Sequence, residues 1–273
     1  MLTQAEKGLA FHALHGRTEA FIIPNPWDPG TARLLEGLRF EALATTSAGH
    51  AFSRGLRDRM VGRDAMLAHA ADIATTVNLP ISVDLENGFG DDPQTVAETI
   101  RLAAAAGAVG GSIEDSTGRA DQPLYAREHA IDRVRAAVEA ARALPFKFTL
   151  TARAENFLVG QSDINDTIKR LQAYQEAGAD VLYAPGLPSA VAISSLVHSV
   201  DRPVNVVMGL QGPVLTLPAL SALGVKRISV GSALSRCALG AFLRAAQEMR
   251  DQGTFSWSEQ AVRFSDITAL LKK

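Results

Sequence analysis

A single cysteine, Cys237, in 273 residues excludes an internal disulfide framework and any thiolate-bound zinc cluster. No stretch is rich in lysine and arginine, and a formal net charge of −2 argues against a nucleic-acid-binding surface. No apolar run approaches the roughly 18 residues of a membrane span, because Gly, Asp or Arg interrupts the longest of them. The opening Met1-Leu2-Thr3-Gln4-Ala5-Glu6-Lys7 lacks the basic start and apolar core of a secretory leader, so a cytoplasmic location is expected. Without such a leader, the sequon Asn165-Asp166-Thr167 is read as chance. No Gly-x-Gly-x-x-Gly follows the first strand-like run, which weighs against an open dinucleotide-binding sheet. The remainder, 47% hydrophobic and 21% charged, is an ordinary globular composition and excludes disorder.

The chain repeats one design. Short β-prone runs are expected at Phe21–Pro24, Ala42–Thr46, Ile81–Asp84, Gly111–Glu114, Phe148–Ala152, Val181–Ala184, Val204–Val207 and Arg227–Val230. Between them lie stretches rich in Ala, Leu, Arg and Glu, among them Pro93–Ala106, Ile131–Ala143 and Ile164–Ala177, which read as helices. Asp28 before Pro29, Asp92 before Pro93 and Asp163 before Ile164 are N-cap chemistry. Gly107 and Gly178 stand where a left-handed C-cap is expected. Eight strands alternating with helices give an all-parallel sheet, and at this length closure into a (β/α)₈ TIM-type barrel is the expected fold. Residues 1–273 then form one domain, with 233–273 as a C-terminal helical extension. The extension is read as a helix over Ala233–Arg250 and another near Ser258–Leu271, more than one barrel turn needs. Part of it is expected to cap the barrel or pack on another subunit.

Active sites of such barrels lie at the C-terminal ends of the strands. Those ends carry Asn25, Trp27 and Asp28, then Thr45, Thr46, Ser47, Gly49 and His50, with Asp58 beyond. Asp84 and Glu86 follow the third strand, Glu114 and Asp115 the fourth, Arg153 and Glu155 the fifth, and Asn205 belongs to the seventh. If neighbouring strands are parallel, Asp84, Glu86 and Glu114 arrive at one end of the sheet. Uncompensated, they would raise one another's pKa values and cost stability. A hard cation is the usual compensation, and Mg²⁺ (or Mn²⁺) takes such a site with few protein ligands and several waters. Small hydroxyl residues and backbone N–H groups suit a carboxylate, and Arg153 suits a second carboxylate or developing charge.

Each residue also has a plainer reading. Asp84 and Glu86 suit loop or cap positions, and Arg153 suits an ion pair with Glu155. Asp115 points to the opposite face from Glu114, which implies a structural role. Trp27 suits a packed rim position, and His50 suits acid–base work or a scaffold role equally. His12 and His15 read as one face of a short helix, and Cys237 as a core residue.

The motifs Asn25-Pro-Trp-Asp-Pro-Gly30, Ala44-Thr-Thr-Ser-Ala-Gly49, Val83-Asp-Leu-Glu-Asn-Gly-Phe-Gly90, Ser112-Ile-Glu-Asp115 and Thr151-Ala-Arg153 together resemble the isocitrate lyase/phosphoenolpyruvate mutase superfamily. Ala177-Gly-Ala-Asp180, Pro185-Gly-Leu187 and Val230-Gly231 extend the resemblance over nearly the whole chain in the same order. It implies a (β/α)₈ barrel assembled as a dimer or tetramer, with the last barrel helix exchanged between paired subunits. It also implies Mg²⁺, a small α-oxycarboxylate substrate, and C–C or P–C bond chemistry through an enolate-type intermediate. By position, Asp84 resembles the direct metal ligand, and Glu86, Asp58 and Glu114 the residues that hold metal-bound waters. Thr46, Ser47 and Ala48 resemble the segment that grips the substrate carboxylate. Arg153 resembles the arginine on the substrate oxygens, and Asn205 a residue near the substrate's distal part.

The chain departs from the family after the fourth strand. The isocitrate and methylisocitrate lyases carry there a lid with an acid–base cysteine, and the phosphonate enzymes a lid with a Lys and an Asn. This chain has Ser116-Thr-Gly-Arg-Ala-Asp121 instead, with the next helix expected from Tyr125 or Ala126. The leading expectation is a Mg²⁺-dependent lyase acting on a C–C bond of an oxaloacetate-, isocitrate- or methylisocitrate-like acid. Arg153, Glu114 and His50 are its candidate catalytic residues, and Trp27 joins the substrate-binding set. The alternatives are a P–C bond enzyme, for which Arg119 is the only lid cation, and an α-oxyacid-binding protein without turnover. If His50 does not face the metal, the binding alternative gains.

Overall fold

The structure is a computed structural model that describes residues 1–210 and 212–271. Eight strands alternate with helices along the chain: β1 (Phe21–Ile23), β2 (Leu43–Ala44), β3 (Ile81–Asp84), β4 (Gly110–Glu114), β5 (Thr149–Arg153), β6 (Val181–Tyr183), β7 (Val204–Val207) and β8 (Arg227–Ser229). Every ladder between them is parallel, and the order β1-β8-β7-β6-β5-β4-β3-β2 runs once round the sheet. Between β1 and β2 the circuit is completed by Ala44 N–H donating to Pro24 O at 3.1 Å and Asn25 Nδ2 to Thr45 O at 2.9 Å. This is the expected (β/α)₈ barrel.

The helices are α1 (Gln4–Leu14), α2 (Pro29–Gly37), α3 (Ser47–Ser53), α4 (Arg63–Thr76), α5 (Pro93–Ala105), α6 (Arg127–Arg142), α7 (Ile164–Glu176), α8 (Ala190–Val197), α9 (Leu217–Ala222), α10 (Ala233–Gln252) and α11 (Phe264–Leu270). Local chemistry sets their ends. Asp28, Asp92 and Asp163 accept hydrogen bonds from first-turn amides of α2, α5 and α7, and α2 and α5 begin with proline. Gly107 and Gly178 leave α5 and α7 with φ of +94° and +103°, a conformation glycine adopts without a Cβ penalty. The chain thereby turns sharply into β4 and β6.

The N-terminal mouth of the barrel is closed by α1, whose buried Phe11 and Leu14 pack with Phe21, Ile23, Ala42 and Val109. Gly110 makes room for this plug: a Cβ there would come within 2.7 Å of the Phe11 ring. The opposite mouth stays open.

Two expectations for the C-terminal extension are corrected. The helix expected near Ser258–Leu271 is two pieces, a 3₁₀ turn at Ser256–Gln260 and α11, because the segment between them leaves helical geometry at Ala261. Cys237 is exposed, and Ser235 is the only buried residue of α10. The first turn of α10 touches the barrel, where Arg236 Nη2 donates to Gly209 O at 2.7 Å, and most of the rest of the helix, Cys237 included, is exposed. Phe242 and Leu243 of α10 are 67% and 54% exposed.

Candidate active site

Side chains that point inward from the strands give the barrel a polar lining: Ser82, Ser112, Thr151, Asn205, Arg227 and Ser229 are all buried or nearly so. One ladder row runs from Glu114 on β4 through Arg153, Tyr183 and Asn205 to Arg227 on β8. At the open mouth this row meets Asp84 of β3. A cavity of about 190 Å³ descends into the barrel, walled by Thr46, Ser47, Ala48, Asp84, Arg153, Asn205 and others. A wider chamber of about 530 Å³ lies above, lined by Glu86, Glu114, Arg59, Ser116 and Arg119. Ser47, Asp58, Arg153 and Leu158 belong to both walls, so the two spaces adjoin.

Arg153 organises the carboxylates. Its Nη1 lies 3.0 Å from Asp84 Oδ1, its Nη2 3.0 Å from Glu114 Oε2, and its Nε 2.9 Å from Glu155 Oε1. Arg153 thus makes the expected ion pair with Glu155, and it also lines the cavity. Burial would lower the guanidinium, but Glu155, Glu114 and Asp84 hold it well above its ordinary value. Burial pushes the Glu114 carboxyl up against the pull of Arg153 and Arg59. The Asp84 Oδ2 accepts from Ser47 N–H at 3.2 Å, which ties the Thr46–Ala48 segment to the third strand.

The remaining acids fit a cation. Glu86 Oε1 is buried without a hydrogen-bond partner, on a residue held at φ +49°. Burial, with Asp84, Asp58 and Glu114 nearby, pushes the Glu86 carboxyl up to about 8. Asp58 lies at the exposed rim, and partial desolvation of its carboxyl together with Asp84 raises its pKa. These are carboxylates crowded without enough positive charge, which a divalent ion would relieve. Among the described residues no three His, Cys, Asp or Glu side chains are placed to hold one ion directly. The donor set suits an ion with one or two protein ligands and a shell of water.

Other expected site residues lie elsewhere. His50 stacks on His69 of α4, ring centroids 3.7 Å apart and 14° from parallel, and it lines neither chamber. Neither ring nitrogen of His50 has a partner, and burial lowers its pKa. Trp27 also stays outside both walls and packs beside Gly49, where a Cβ would meet the Trp27 Cβ at 3.2 Å. Asp115 is buried and structural, accepting from Glu155 N–H at 2.8 Å, Tyr174 Oη at 2.6 Å and Arg170 Nη1 at 3.1 Å.

The segment after β4 is short, pinned by an antiparallel bridge between Ser116 and Leu124, and α6 begins at Arg127. Arg119 turns from the carboxylates to Asp91 at 2.7 Å. The cation over the acids is Arg59, absent from the sequence-based set, which reaches from the loop after α3 to both Glu114 and Ser116. Gly118 leaves room for it, since a Cβ there would approach Arg59 Nη1 to 2.8 Å. The place of Arg59 next to the expected ligand Asp58 in the sequence was the only hint, and it does not show where the side chain reaches.

Residues 11–250 match the sequence model of phosphoenolpyruvate phosphomutase. The chain belongs to that family. It is thereby a member of the isocitrate lyase/phosphoenolpyruvate mutase superfamily, whose enzymes act at C–C or P–C bonds. A solved structure from Burkholderia cenocepacia J2315, provisionally named a lyase/mutase, is 65% identical with a TM-score of 0.95, covering 97% of this chain and 95% of its own. The 2-methylisocitrate lyase of Escherichia coli K12 is 30% identical over 205 residues, 72% of this chain and 68% of the relative. Phosphonopyruvate hydrolase, solved with oxalate and Mg²⁺, is 25% identical with a TM-score of 0.85 over 97% of this chain and 94% of its own. The similarity thus spans both bond types. The geometry of this chain has to choose between them.

Proposed function

We propose that this protein is a Mg²⁺- or Mn²⁺-dependent lyase acting on a C–C bond of a small 2-oxo or 2-hydroxy carboxylic acid, most closely an oxaloacetate-like one. The observation that carries this reading is the pairing of Arg153 with a carboxylate cluster beneath a lid that offers no Lys, Cys or His. Asp84 is the direct ligand in this reading, with Glu86, Glu114 and Asp58 holding the ion's waters. When bound there, the cation supplies Lewis-acid stabilisation of negative charge on substrate oxygens. Thr46, Ser47 and Ala48 hold the substrate carboxylate, where small side chains allow close backbone approach. Arg153 contacts the substrate oxygens and offsets the charge left on them as the C–C bond breaks. Leu158 and Tyr183 wall the cavity and limit the water that reaches it.

With His50 of α3 stacked on His69 of α4, the chamber lacks the acid–base group that cleavage of isocitrate requires in the lyases. Decarboxylation needs only that the departing electron pair be stabilised, the enolate then taking its proton from water, and the site has the groups for that. A P–C reading draws on one observation, the Arg59 guanidinium over Glu114, which would suit a substrate with more negative charge. The position of His50 also strengthens the alternative of an α-oxyacid-binding protein. Purified protein with Mg²⁺ or Mn²⁺, tested against oxaloacetate, isocitrate, methylisocitrate and phosphonopyruvate, separates all three. Carbon–carbon products support the lyase, phosphate supports P–C chemistry, and binding without product supports the third. The exposed apolar residues of α10 support a homo-oligomer, dimer or tetramer, in which a second copy covers them.

A further inference from the structure

Arg227 opens β8 and is buried, with 5% of its surface exposed. Among the described residues no Asp or Glu oxygen lies within 4.0 Å of its guanidinium. Its contacts are neutral: Nε donates to Asn205 Oδ1 at 2.8 Å and Nη2 to Thr151 Oγ1 at 2.9 Å. The third is His15 Nε2, 3.4 Å from Nη1. His15 Nδ1 lies 2.9 Å from Phe11 O, so the ring proton belongs on Nδ1 and Nε2 is left to accept. Burial beside Arg227 keeps that imidazole neutral, its pKa lowered to about 3. Three of the five guanidinium N–H groups are engaged.

A charge taken out of water is normally matched by an opposite one. Arg153, on the same ladder row, is matched by three carboxylates. Arg227 stands three strands further round on that row and is matched by none. Burial accordingly pushes its pKa down to about 10. Both guanidinium groups line the same cavity of about 190 Å³, with Asn205, Ser229 and Tyr183 between or beside them. Asn205 turns its Nδ2 to Ser229 Oγ at 3.0 Å because Arg227 holds its Oδ1. An unmatched buried cation facing a small cavity is a place for an anion from outside.

We propose that Arg227, with Asn205 and Ser229, receives a second carboxylate of the substrate, so that the acid bound carries a carboxylate at each end. This rests on the reading of the metal end as an α-oxycarboxylate site, and it makes Arg227 a specificity-determining residue. Monocarboxylates such as pyruvate would leave the guanidinium unmatched and bind weakly.

The test is calorimetric titration of the full chain with Mg²⁺ present, using ligands matched in skeleton. Malate is compared with 2-hydroxybutyrate, 2-oxoglutarate with 2-oxopentanoate, and oxalate serves as a probe of the metal end alone. The wild type is expected to bind the dicarboxylate of at least one pair about tenfold or more tightly than its partner. Arg227→Gln is expected to erase that preference while oxalate affinity changes less than about twofold, and Arg227→Lys to keep part of it. Absence of a preference in the wild type overturns the proposal with no variant required. Equal loss of oxalate and dicarboxylate in a folded Arg227→Gln, or in Arg227→Lys if the first does not fold, overturns it as well. Failure of oxalate itself to bind removes the metal-end reading and this proposal together. Oxalate binding without dicarboxylate preference removes this proposal alone.

Discussion

The Arg153 guanidinium donates to Asp84 across an intervening strand, with Nη1 3.0 Å from Oδ1, while its Nη2 meets Glu114 on the strand between them. One buried cation thus gathers carboxylates from β3 and β4 on a side chain from β5. Its removal strands those acids in the barrel mouth. Arg153→Ala is expected to cost about 3–5 kcal/mol of stability, the usual penalty for breaking a buried pair. Urea unfolding measures it. Part of the loss should return with added Mg²⁺, because the ion replaces the lost positive charge. Oxalate affinity should also fall in the variant, and unchanged affinity would count against contact between Arg153 and substrate oxygens.

Asp84→Ala is expected to abolish Mg²⁺-dependent oxalate binding. Asp58→Asn and Glu86→Gln, which alter groups that hold the ion's waters, should weaken it about 10–100-fold. Titration with Mg²⁺ and with Mn²⁺, read by calorimetry, separates the two classes. Equal small effects from all three would remove Asp84 from its place as direct ligand.

The strand ends were legible because a parallel barrel sends every such residue to one mouth, so Asp84, Glu114 and Arg153 could be placed together before any distance was known. Asp115 was legible for the same reason, since alternation turns it to the helix layer, where it meets Tyr174 and Arg170. Arg59 was not, because its reach to Glu114 depends on a loop residue at φ +68°, which no periodicity encodes. Arg227 could have been noticed as a charge two residues before Ser229, hence on the same inward face of its strand. His50 and Cys237 depended on which way α3 and α10 face. Tertiary packing decides that, and neither helix pattern contains it.

The buried histidines should cost stability on acidification below neutrality, while the raised Glu86 and Glu114 carboxyls act in the opposite sense. His15 and His69 are held neutral by burial, with folded pKa values of about 3 and about 4 against the ordinary 6.5. Between the unfolded and folded values the unfolded chain binds the extra protons, so the histidines' contribution is full above about pH 6.5 and is lost as pH drops toward 4. At pH 5 each histidine should account for about 2 kcal/mol of loss. Urea unfolding at pH 7.5 and pH 5 measures the slope. His69→Phe, which keeps a flat ring against His50, should remove about 2 kcal/mol of acid destabilisation between the two pH values relative to wild type, and an identical difference would show that His69 titrates alike in both states.

The apolar face of α10 predicts self-association. Light scattering coupled to gel filtration is expected to give a mass at least twice that of the 29.0 kDa chain. Phe242→Glu combined with Leu243→Glu should shift the population toward monomer without loss of the barrel's circular dichroism. A monomeric wild type would leave these side chains in water and contradict the reading.

The most direct measurement follows carbon and phosphorus products by NMR, with oxaloacetate, isocitrate and phosphonopyruvate supplied separately in Mg²⁺. Spontaneous decay is subtracted with the Asp84→Ala protein. The account predicts chelator-sensitive C–C cleavage of the oxaloacetate-like acid and no phosphate release. Isocitrate turnover should be lower by the 10²–10⁴-fold that loss of a general acid–base group costs. Phosphate from phosphonopyruvate, or isocitrate cleavage at about 10 s⁻¹, would contradict it.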